Sequence, residues 1–241
     1  TAARPPIAGL TFDRPRIMGI VNVTPDSFSD GGQHFAEDAA LRRAQAMRTA
    51  DILDIGGEST RPGAQQVPEE EEVRRTAPVI AALKQGGIAQ PISIDTRKAA
   101  VAAEALAAGA SLVNDVSGFT FDATLAPLCA AKGAPVCVMH AQGDPETMQS
   151  DPRYDNVLLD VYDHLAARIA ALEALGIPKS RIIVDPGIGF GKTLEHNLAL
   201  LARLSLFHAL GVPLLLGASR KKFIGTIGGA EDARARMPGS V

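Results

Sequence analysis

The sequence predicts a parallel α/β fold of the (β/α)8 or TIM-barrel class. Seven short apolar runs recur along the chain without polar alternation, and such runs are typical of strands buried on both faces of a parallel sheet. Segments with helical periodicity separate the runs, and no linker or low-complexity stretch interrupts the repeat. Polar residues follow each run, as they do at the active face of a parallel barrel, so the pattern indicates an enzyme.

The predicted strands share one design, an apolar run that ends where polar groups begin. They cover residues 17–21, 52–55, 91–94, 111–113, 135–139, 181–184 and 213–217. The polar residues that follow them include Asn22, Glu58, Asp95, Asn114, His140, Asp185 and Lys221. A doubly wound sheet, the alternative architecture, would gather its chemistry at one switch point rather than at every strand end. The distribution of polar residues therefore favours the barrel.

Helical periodicity predicts six helices between these strands. They cover residues 36–47, 68–83, 99–108, 122–131, 156–175 and 194–206. The acidic run Glu69-Glu70-Glu71-Glu72 opens the second helix and opposes the positive charge of a helix N-terminus. We interpret this run as a solvated helix start rather than as a metal site. Residues 1–15 are Pro-rich and irregular, which predicts a plug or hairpin below the barrel.

The strand count falls one short of a closed barrel. A barrel of this class needs eight βα units and about 200 to 250 residues. The chain has 241 residues, yet seven units are visible and nothing after Gly217 predicts an eighth strand. We therefore expect residues 1–241 to form one domain whose barrel is incomplete at its C-terminal end.

Composition and charge argue against several classes of partner. The net charge is −3, the isoelectric point is about 6.0, and there is no Trp and no basic stripe, so we expect no nucleic-acid partner. The sequence shows no signal peptide and no apolar stretch of about 20 residues, so we expect no membrane partner. Cys129 and Cys137 form no disulfide framework, which suits a reducing compartment. We expect a cytoplasmic enzyme.

Two loops after predicted strands carry an unusual set of polar groups. The first, Asn22-Val23-Thr24-Pro25-Asp26-Ser27-Phe28-Ser29-Asp30-Gly31-Gly32, offers several oxygen donors of the kind that Mg²⁺ prefers. Its polar residues could equally be turn and cap residues. The second, Gly56-Gly57-Glu58-Ser59-Thr60-Arg61-Pro62-Gly63, combines glycines, hydroxyls and a guanidinium, which suit either an anion site or a tight turn.

Asp95, Asn114 and Asp185 follow three different strands, yet a barrel would point them into one mouth. Ionised carboxylates that are buried without partners are costly, so these residues imply a cation or a ligand rich in N–H donors. An amino-substituted heterocycle would satisfy them with paired hydrogen bonds. A structural ion pair with Arg220 or Lys221 is the alternative.

The segment Gly187-Ile188-Gly189-Phe190-Gly191-Lys192-Thr193 is only superficially similar to a nucleotide-binding loop. A phosphate-binding loop needs a glycine where Pro186 stands, and the dinucleotide-binding pattern needs one where Lys192 stands. We expect Lys192 and Thr193 to lead into the following helix and Phe190 to line a pocket.

His140 alone among the five histidines ends a predicted strand. The chain has no His or Cys spacing of the kind that binds zinc. We interpret His140 as a hydrogen-bonded support residue rather than as a catalyst.

Together these segments resemble the dihydropteroate synthase family. The two loops quoted above, with the second counted from Asp54, look like the first two signatures of that family. The pairs Asp95-Thr96, Asn114-Asp115 and Met139-His140 then follow in the family order. The segment from Asp185 to Thr193 and the triplet Ser219-Arg220-Lys221 complete the match, which runs from about residue 17 to residue 240.

The resemblance implies a (β/α)8 barrel that joins 6-hydroxymethyl-7,8-dihydropterin diphosphate to 4-aminobenzoate, with Mg²⁺ as cofactor. It also implies a homodimer that sulfonamides target. By matching position, the pterin would be held by Asp95, Asn114, Asp185 and Lys221, with Met139 and Phe190 packed around it. Asn22 would bind Mg²⁺ and the diphosphate. The aminobenzoate side would be shaped by Phe28, Thr60, Arg61, Pro62 and Ser219. Asp95, Asp185 and Lys221 would be the catalytic residues.

The chain departs from the family pattern at three places. Thr49 stands where the family usually has Gly, and Lys222 stands where some members have Ser. Family members also continue past Ser240 to a last strand with an Arg-x-His that grips the diphosphate. Two alternatives stay open at this point. One is a pterin-binding methyl transferase that acts with a corrinoid, which would not need the first two loops. The other is a protein without turnover, either a non-catalytic paralogue that binds pterin or a partner, or a truncated inactive form.

Overall fold

Six strands form one parallel sheet in the computed structural model, which describes residues 4–23, 32–59, 64–143, 147–230, 232–233 and 235–240. The strands are β1 (Met18–Asn22), β2 (Ile52–Gly56), β3 (Ile92–Asp95), β4 (Leu112–Asp115), β5 (Val136–Met139) and β6 (Ile182–Asp185). Each strand pairs in parallel with the next one in the chain. This sequential order is the order of a parallel barrel, as predicted.

A helix follows each of the six strands. The helices are α1 (Gly32–Ala46), α2 (Glu69–Gln85), α3 (Ala99–Ala108), α4 (Leu125–Lys132), α5 (Val157–Ala174) and α6 (Leu194–Ala202). A seventh helix, α7 (Lys222–Gly228), and short 3₁₀ segments at Lys179–Arg181, Leu204–Leu210 and Met237–Ser240 complete the described elements. The predicted βα repeat is therefore confirmed.

Differences from the helix predictions include two shifted helix ends and one helix that was not predicted. The helix predicted from residue 122 begins at Leu125, because Asp122 accepts hydrogen bonds from Thr124 and from the backbone N–H of Ala99 and so belongs to a turn. The helix predicted to reach residue 206 ends at Ala202 and continues as a 3₁₀ segment. Helix α7 was not predicted, since its glycines obscure the helical period.

The seventh predicted strand, residues 213–217, is reduced to a single parallel bridge between Val184 and Leu214. Two backbone hydrogen bonds hold it there: Leu215 N–H donates to the Val184 carbonyl at 2.8 Å, and Val184 N–H donates to the Pro213 carbonyl at 3.0 Å. The segment lies next to β6, where a barrel has its seventh strand. Within the described residues no strand follows it, so the sheet is not closed.

Apolar side chains form two separate clusters. The larger cluster fills the space between the sheet and the helices. The smaller one lies on the inner face of the sheet, where Leu112, Cys137 and Ile183 contact Ile7. Ile7 belongs to a tight turn closed by a bridge to Leu10, so the predicted N-terminal plug is confirmed. Side chains alternate along a strand, so the residues two positions after these three strand residues also point to the inner face, at the carboxyl end of the sheet.

Candidate active site

Strand register brings the predicted polar residues together at the carboxyl end of the sheet. Asn22 is paired with Gly56, Gly56 with Asp95, and Asp95 with Asn114. Across the next strands, Met139 is paired with Asp185. These residues therefore form one inner rim, because each lies at the end of its strand or one residue before it, and the neighbouring strand ends lie side by side.

Two acids and an amide form the floor below this rim. Asp54 lies two residues before Gly56 on the same face of β2, and its Oδ2 accepts a hydrogen bond from Asn114 Nδ2 at 3.2 Å. All three polar side chains, those of Asp54, Asp95 and Asn114, are buried or nearly so. The Oδ1 atoms of Asp54 and Asp95 accept no hydrogen bond from any described residue. Buried acceptors of this kind call for a ligand that supplies N–H groups.

The electrostatics of the floor favour such a ligand. Burial raises the pKa of Asp95 well above its usual range, and the nearby carboxylates of Asp54 and Asp115 raise it further. Burial also raises the pKa of Asp54. Neighbouring buried acids resist simultaneous ionisation, so N–H donors or positive charge brought by a ligand would stabilise both.

Asp185 is oriented by its own loop. Its Oδ1 accepts a hydrogen bond from the backbone N–H of Gly187 at 2.7 Å. Burial raises the pKa of Asp185, while the charge of Lys221 works in the opposite direction. A Cβ added at Gly217 would lie 3.6 Å from Asp185 Oδ2 and 3.5 Å from Lys221 Nζ, so the two charged groups meet across this glycine.

Lys221 and Phe190 lie on the Asp185 side of the mouth. Lys221 Nζ donates a hydrogen bond to the Ile188 carbonyl and lies 4.7 Å from the centroid of the Phe190 ring. Among the described residues, neither Asp95 nor Asp185 forms a salt bridge. The structural ion pair considered from the sequence is therefore absent from this part of the chain.

Asn22 offers an oxygen donor for a cation. A Cβ added at Gly56 would lie 3.7 Å from Asn22 Oδ1 and 3.6 Å from Asp95 Oδ2, so only a glycine separates the two oxygens. In the described part of the chain, no group of three His, Cys, Asp or Glu residues could hold a metal. Mg²⁺ commonly binds one or two protein oxygens and takes the rest from water and substrate phosphates. This donor set fits an ion held mainly by a bound diphosphate.

Asp115 is buried beside this site but has a structural role. Its carboxylate accepts hydrogen bonds from Ser117 N–H at 2.7 Å, Ser117 Oγ at 2.9 Å and Phe119 N–H at 2.8 Å. These bonds hold the loop in which Phe119 adopts a φ of 62°. All the oxygens of Asp115 therefore face its own loop.

A buried ionic cluster lies behind the second loop. Lys98 Nζ donates to Glu58 Oε2 at 2.7 Å, to Glu72 Oε2 at 2.6 Å and to the Val67 carbonyl at 2.6 Å. Arg97 bonds the other oxygen of Glu58 at 2.5 Å. The backbone N–H of Val67 also donates to Glu58 at 2.8 Å, so the two ends of the segment from Glu58 to Val67 are bonded together.

The cluster corrects one interpretation of the sequence. Glu72 was expected to be solvated with the rest of its acidic run, but it is only 1% exposed and is bonded to Lys98. Burial raises the pKa of Glu72 in spite of that bond. Burial also acts to raise the pKa of Glu58, but bonds from Lys98, Val67 and Arg97 outweigh it and lower that pKa. The acidic sequence of the first turn of α2 predicts exposure, but the tertiary contact with Lys98 buries Glu72.

His140 is buried and in contact with Lys192, which is consistent with the predicted support role. Its Nδ1 lies 2.9 Å from Lys192 Nζ, and its ring packs edge-on against the His164 ring at 4.8 Å. Burial lowers the pKa of His140 to about 2, and the charge of Lys192 adds to the effect. Thr193 caps α6 as expected, but Lys192 is wholly buried rather than a simple lead into that helix.

The remaining predicted residues are divided between described and undescribed parts of the chain. Met139 is buried, Phe190 is half-buried, and Ser219 is exposed in the turn before Lys221. Phe28, Thr60, Arg61 and Pro62 lie outside the described residues.

Sequence reasoning missed three buried residues near the mouth. Asp54 stands inside an apolar run, and only the two-residue alternation from Gly56 would have placed it on the inner face. Lys98 and Lys192 follow the ends of β3 and β6 within loops, where a lysine ordinarily faces solvent. No local sequence pattern predicts their burial, because all of their acceptors except the Phe190 carbonyl come from distant parts of the chain.

Comparison with known proteins shows which family combines these features. The sequence model of the pterin binding enzyme family matches residues 18–241. The dihydropteroate synthase of Escherichia coli K12 is 47% identical over 220 residues, which cover 90% of this chain and 77% of that protein. The chain belongs to the dihydropteroate synthase family of pterin-binding enzymes. The family is one of transferases in folate biosynthesis.

Other relatives and solved structures agree with this membership. The dihydropteroate synthase of Synechocystis is 45% identical over 240 residues, 98% of this chain and 83% of its own. The Xanthomonas albilineans enzyme with 4-aminobenzoic acid superposes with a TM-score of 0.90 at 48% identity, covering 100% of this chain and 86% of that one. The Yersinia pestis enzyme with a sulfonamide drug gives 0.90 at 46% identity, covering 98% and 86%. The predicted TIM-barrel class is confirmed.

Proposed function

We propose that this chain is a transferase that condenses 6-hydroxymethyl-7,8-dihydropterin diphosphate with 4-aminobenzoate to give 7,8-dihydropteroate and diphosphate. The observation that carries the proposal is the acidic mouth, where Asp54 and Asp185 are buried, Asp95 is partly buried, and the Oδ1 atoms of Asp54 and Asp95 have no donor among the described residues. A 2-amino-pyrimidinone ring presents adjacent N–H donors that match carboxylates. The family membership supplies the reaction.

Asp95, Asn114 and Asp185 would bind the pterin ring. Asn114 already gives its Nδ2 to Asp54, which leaves its Oδ1 as an acceptor for the ligand. Met139 is buried at the end of β5 and Phe190 is half-buried beside Lys221, so both can pack against the ring. Lys221 Nζ would donate to an acceptor on the ring edge. Positive charge that develops on the ring would strengthen the bonds to Asp95 and Asp185.

The bond that breaks joins the exocyclic methylene carbon to the diphosphate oxygen. Diphosphate leaves with the electron pair, and the amino nitrogen of aminobenzoate forms the new bond to the methylene carbon and loses a proton to solvent. A neutral arylamine needs little help from a base, so its positioning is the main requirement. We assign this positioning to Phe28, Thr60, Arg61, Pro62 and Ser219.

Asn22 is the residue that we propose as a ligand to Mg²⁺ and a contact for the diphosphate. The ion would neutralise charge on the leaving diphosphate. Asn22 contributes a neutral oxygen, so most of the charge balance would come from the substrate itself. Replacing Asn22 by Ala should raise the Mg²⁺ concentration that gives half-maximal activity.

The remaining proposals concern the oligomeric state of the protein, its location in the cell and its binding of sulfonamides. We propose a homodimer in the cytoplasm, with residues 1–241 acting as one pterin-binding domain. No described helix is long and apolar enough to cross a membrane. We also propose that sulfonamides bind at the aminobenzoate side, because the Yersinia pestis relative is seen with such a drug.

Turnover tests the proposed function. The protein should release diphosphate from pterin diphosphate when 4-aminobenzoate and Mg²⁺ are both present, and release should depend on each. The Asp95→Asn variant, with a changed acceptor in the mouth, should lose activity, while Asp163→Asn on the exposed face of α5 should not. Pterin binding without any condensation would instead identify a non-catalytic paralogue.

A further inference from the structure

The segment Gly187-Ile188-Gly189-Phe190-Gly191-Lys192-Thr193 contains a lysine, Lys192, whose burial is not explained by its place before the following helix. Lys192 is 3% exposed, and its Nζ has three acceptors. They are His140 Nδ1 at 2.9 Å, the Phe190 carbonyl at 2.9 Å and the His140 carbonyl at 3.3 Å. An ammonium group has three N–H donors, so this set of acceptors matches its charged form.

The contact also bears on the protonation of His140. While Lys192 is charged it can only donate, so the neutral imidazole then accepts at Nδ1 and carries its proton on Nε2. Lys192 therefore bonds both the ring and the backbone of the first residue after β5. Through the Phe190 carbonyl, the same ammonium group also bonds the loop that follows β6.

The loop after β6 is packed tightly against the end of β5 at the same place. Gly187 has a φ of +68°, and a Cβ there would lie 1.9 Å from the His140 carbonyl oxygen. Gly191 has a φ of +59°, and a Cβ there would lie 2.4 Å from the Gln142 carbonyl oxygen. Both positions require glycine, because the two backbones touch. The Lys192 ammonium group bonds the carbonyls of His140 and Phe190 and so links the two backbones near these glycines.

The position of this loop determines where the Phe190 ring and the Asp185 carboxylate lie. Phe190 N–H donates to the Gly187 carbonyl at 3.0 Å, which closes a turn, and Gly187 N–H donates to Asp185 Oδ1 at 2.7 Å. A shift of the turn would therefore move both the Phe190 ring and the hydrogen bond that orients the Asp185 carboxylate. Lys192 is connected to this turn through the Phe190 carbonyl.

We propose that Lys192 is a positioning residue that ties the loop after β6 to the end of β5 and so holds Asp185 and Phe190 in the arrangement that binds the pterin. This inference rests on the proposed function, because it assumes that Asp185 and Phe190 contact a pterin. In this proposal Lys192 acts through Asp185 and Phe190 rather than by its own contact with a substrate. Its effect should appear in pterin affinity rather than in the attack of the arylamine.

The charge of Lys192 gives the proposal a second signature. The pKa of Lys192 is lowered to about 7, mainly by burial, which the charge of Asp185 opposes and that of Lys221 reinforces. Above that pH the neutral amine has two N–H donors for three acceptors. The groups that face Lys192 are Asp185, Lys221, His140 and His164. All four are present in a Lys192 variant, so a comparison with the wild type isolates the contribution of Lys192.

The test compares Lys192→Met, which keeps the apolar stem, with Lys179→Met on an exposed 3₁₀ segment. Calorimetry with pterin diphosphate should show binding weakened by about tenfold or more for Lys192→Met, the range for lost bonds from a charged donor, and unchanged for Lys179→Met. In steady-state assays the KM for pterin diphosphate should rise by a similar factor, with less change in kcat. Wild-type affinity should fall as pH rises through about 7, and this decline should be absent in Lys192→Met.

A second pair of variants covers the case in which Lys192→Met does not fold. His140→Asn keeps an acceptor near the Nδ1 position, whereas His140→Phe removes it, so only the Phe variant should weaken pterin binding. Pterin affinity within twofold of the wild type for Lys192→Met, or equal affinities for the two His140 variants, would overturn the positioning role. Failure of the wild type to bind pterin diphosphate at all would instead overturn the proposed function.

Discussion

Two buried lysines near the barrel mouth look alike by position and differ in their acceptors. Lys98 follows β3 and is 2% exposed, and Lys192 follows β6 and is 3% exposed. Each ammonium group has three hydrogen-bond acceptors. Two acceptors of Lys98 are the carboxylates of Glu58 and Glu72, whereas those of Lys192 are an imidazole nitrogen and two carbonyls.

The difference in acceptors gives the two buried charges different effects on stability. Around Lys98, the positive charge balances carboxylates that would be costly to bury alone, so removing it leaves uncompensated charge. Around Lys192, carbonyl and imidazole dipoles solvate the ammonium without a directly bonded carboxylate, and burial lowers its pKa to about 7. The two lysines are equally buried, but the charge of Lys98 stabilises the fold whereas that of Lys192 is costly to bury. The difference comes from their acceptors.

The largest effect that we expect follows the loss of Lys98. The Lys98→Met variant should lose about 3 to 5 kcal/mol of unfolding free energy, because Glu58 and Glu72 stay buried with less compensation. Urea denaturation measures this loss, with Lys132→Met on the exposed face of α4 as the control. A loss no larger than that of the control would show that the cluster contributes little to stability.

A double-mutant cycle sharpens the same point. Glu72→Gln should destabilise the wild type but cost less, or even stabilise, when Lys98 is already Met, because a neutral side chain then replaces an unpaired buried acid. The expected coupling between the two positions is about 1 to 3 kcal/mol. Additive effects in the four denaturation curves would mean that the 2.6 Å contact between Lys98 and Glu72 carries no net interaction.

Lys192 should show a smaller effect with a distinct pH dependence. Its pKa is lowered in the folded protein from 10.5 to about 7, so the unfolded chain binds more protons at this residue between those values. Stability should therefore rise with pH through this window, and the penalty for burying the ammonium is complete below about pH 7. Relative to Lys192→Met, the wild type should gain about 1 kcal/mol or more between neutral and alkaline pH.

The measurement is urea denaturation of both proteins at several pH values, with Lys179→Met expected to follow the wild type. Parallel stability curves for wild type and Lys192→Met would contradict the titration of Lys192. A positive result would also explain why a buried charge is retained at a cost. The charged form supplies the three bonds that hold the loop after β6, whereas the neutral form is the one that favours stability.

The same contrast explains what could be predicted from the sequence. The strands and the rim residues Asp95, Asn114 and Asp185 were predictable, because each is marked by an apolar run that stops at a polar residue. Asp54 was hidden inside such a run. Glu72 was misinterpreted, because an acidic helix start is ordinarily solvated and only the approach of Lys98 from another loop buries it.

The seventh strand shows a different limit. The apolar pattern of residues 213–217 predicts a strand, and the segment does lie beside β6, but it makes a single bridge there. The segment makes only two backbone hydrogen bonds to β6, and the periodicity of its apolar residues carries no information about how many such bonds form. The local sequence pattern therefore predicted the order of the strands and helices, but not that the seventh predicted strand would form only a single bridge.

The central claim is that the buried carboxylates of the mouth bind the pterin. The most direct test is calorimetry of pterin diphosphate binding to the wild type, Asp185→Asn and, as an exposed control, Asp163→Asn. Loss of a charged acceptor in a buried site should weaken binding by about 2 kcal/mol or more, roughly 30-fold in affinity, for Asp185→Asn. The control should bind as the wild type does. Equal affinity for all three proteins would contradict the account.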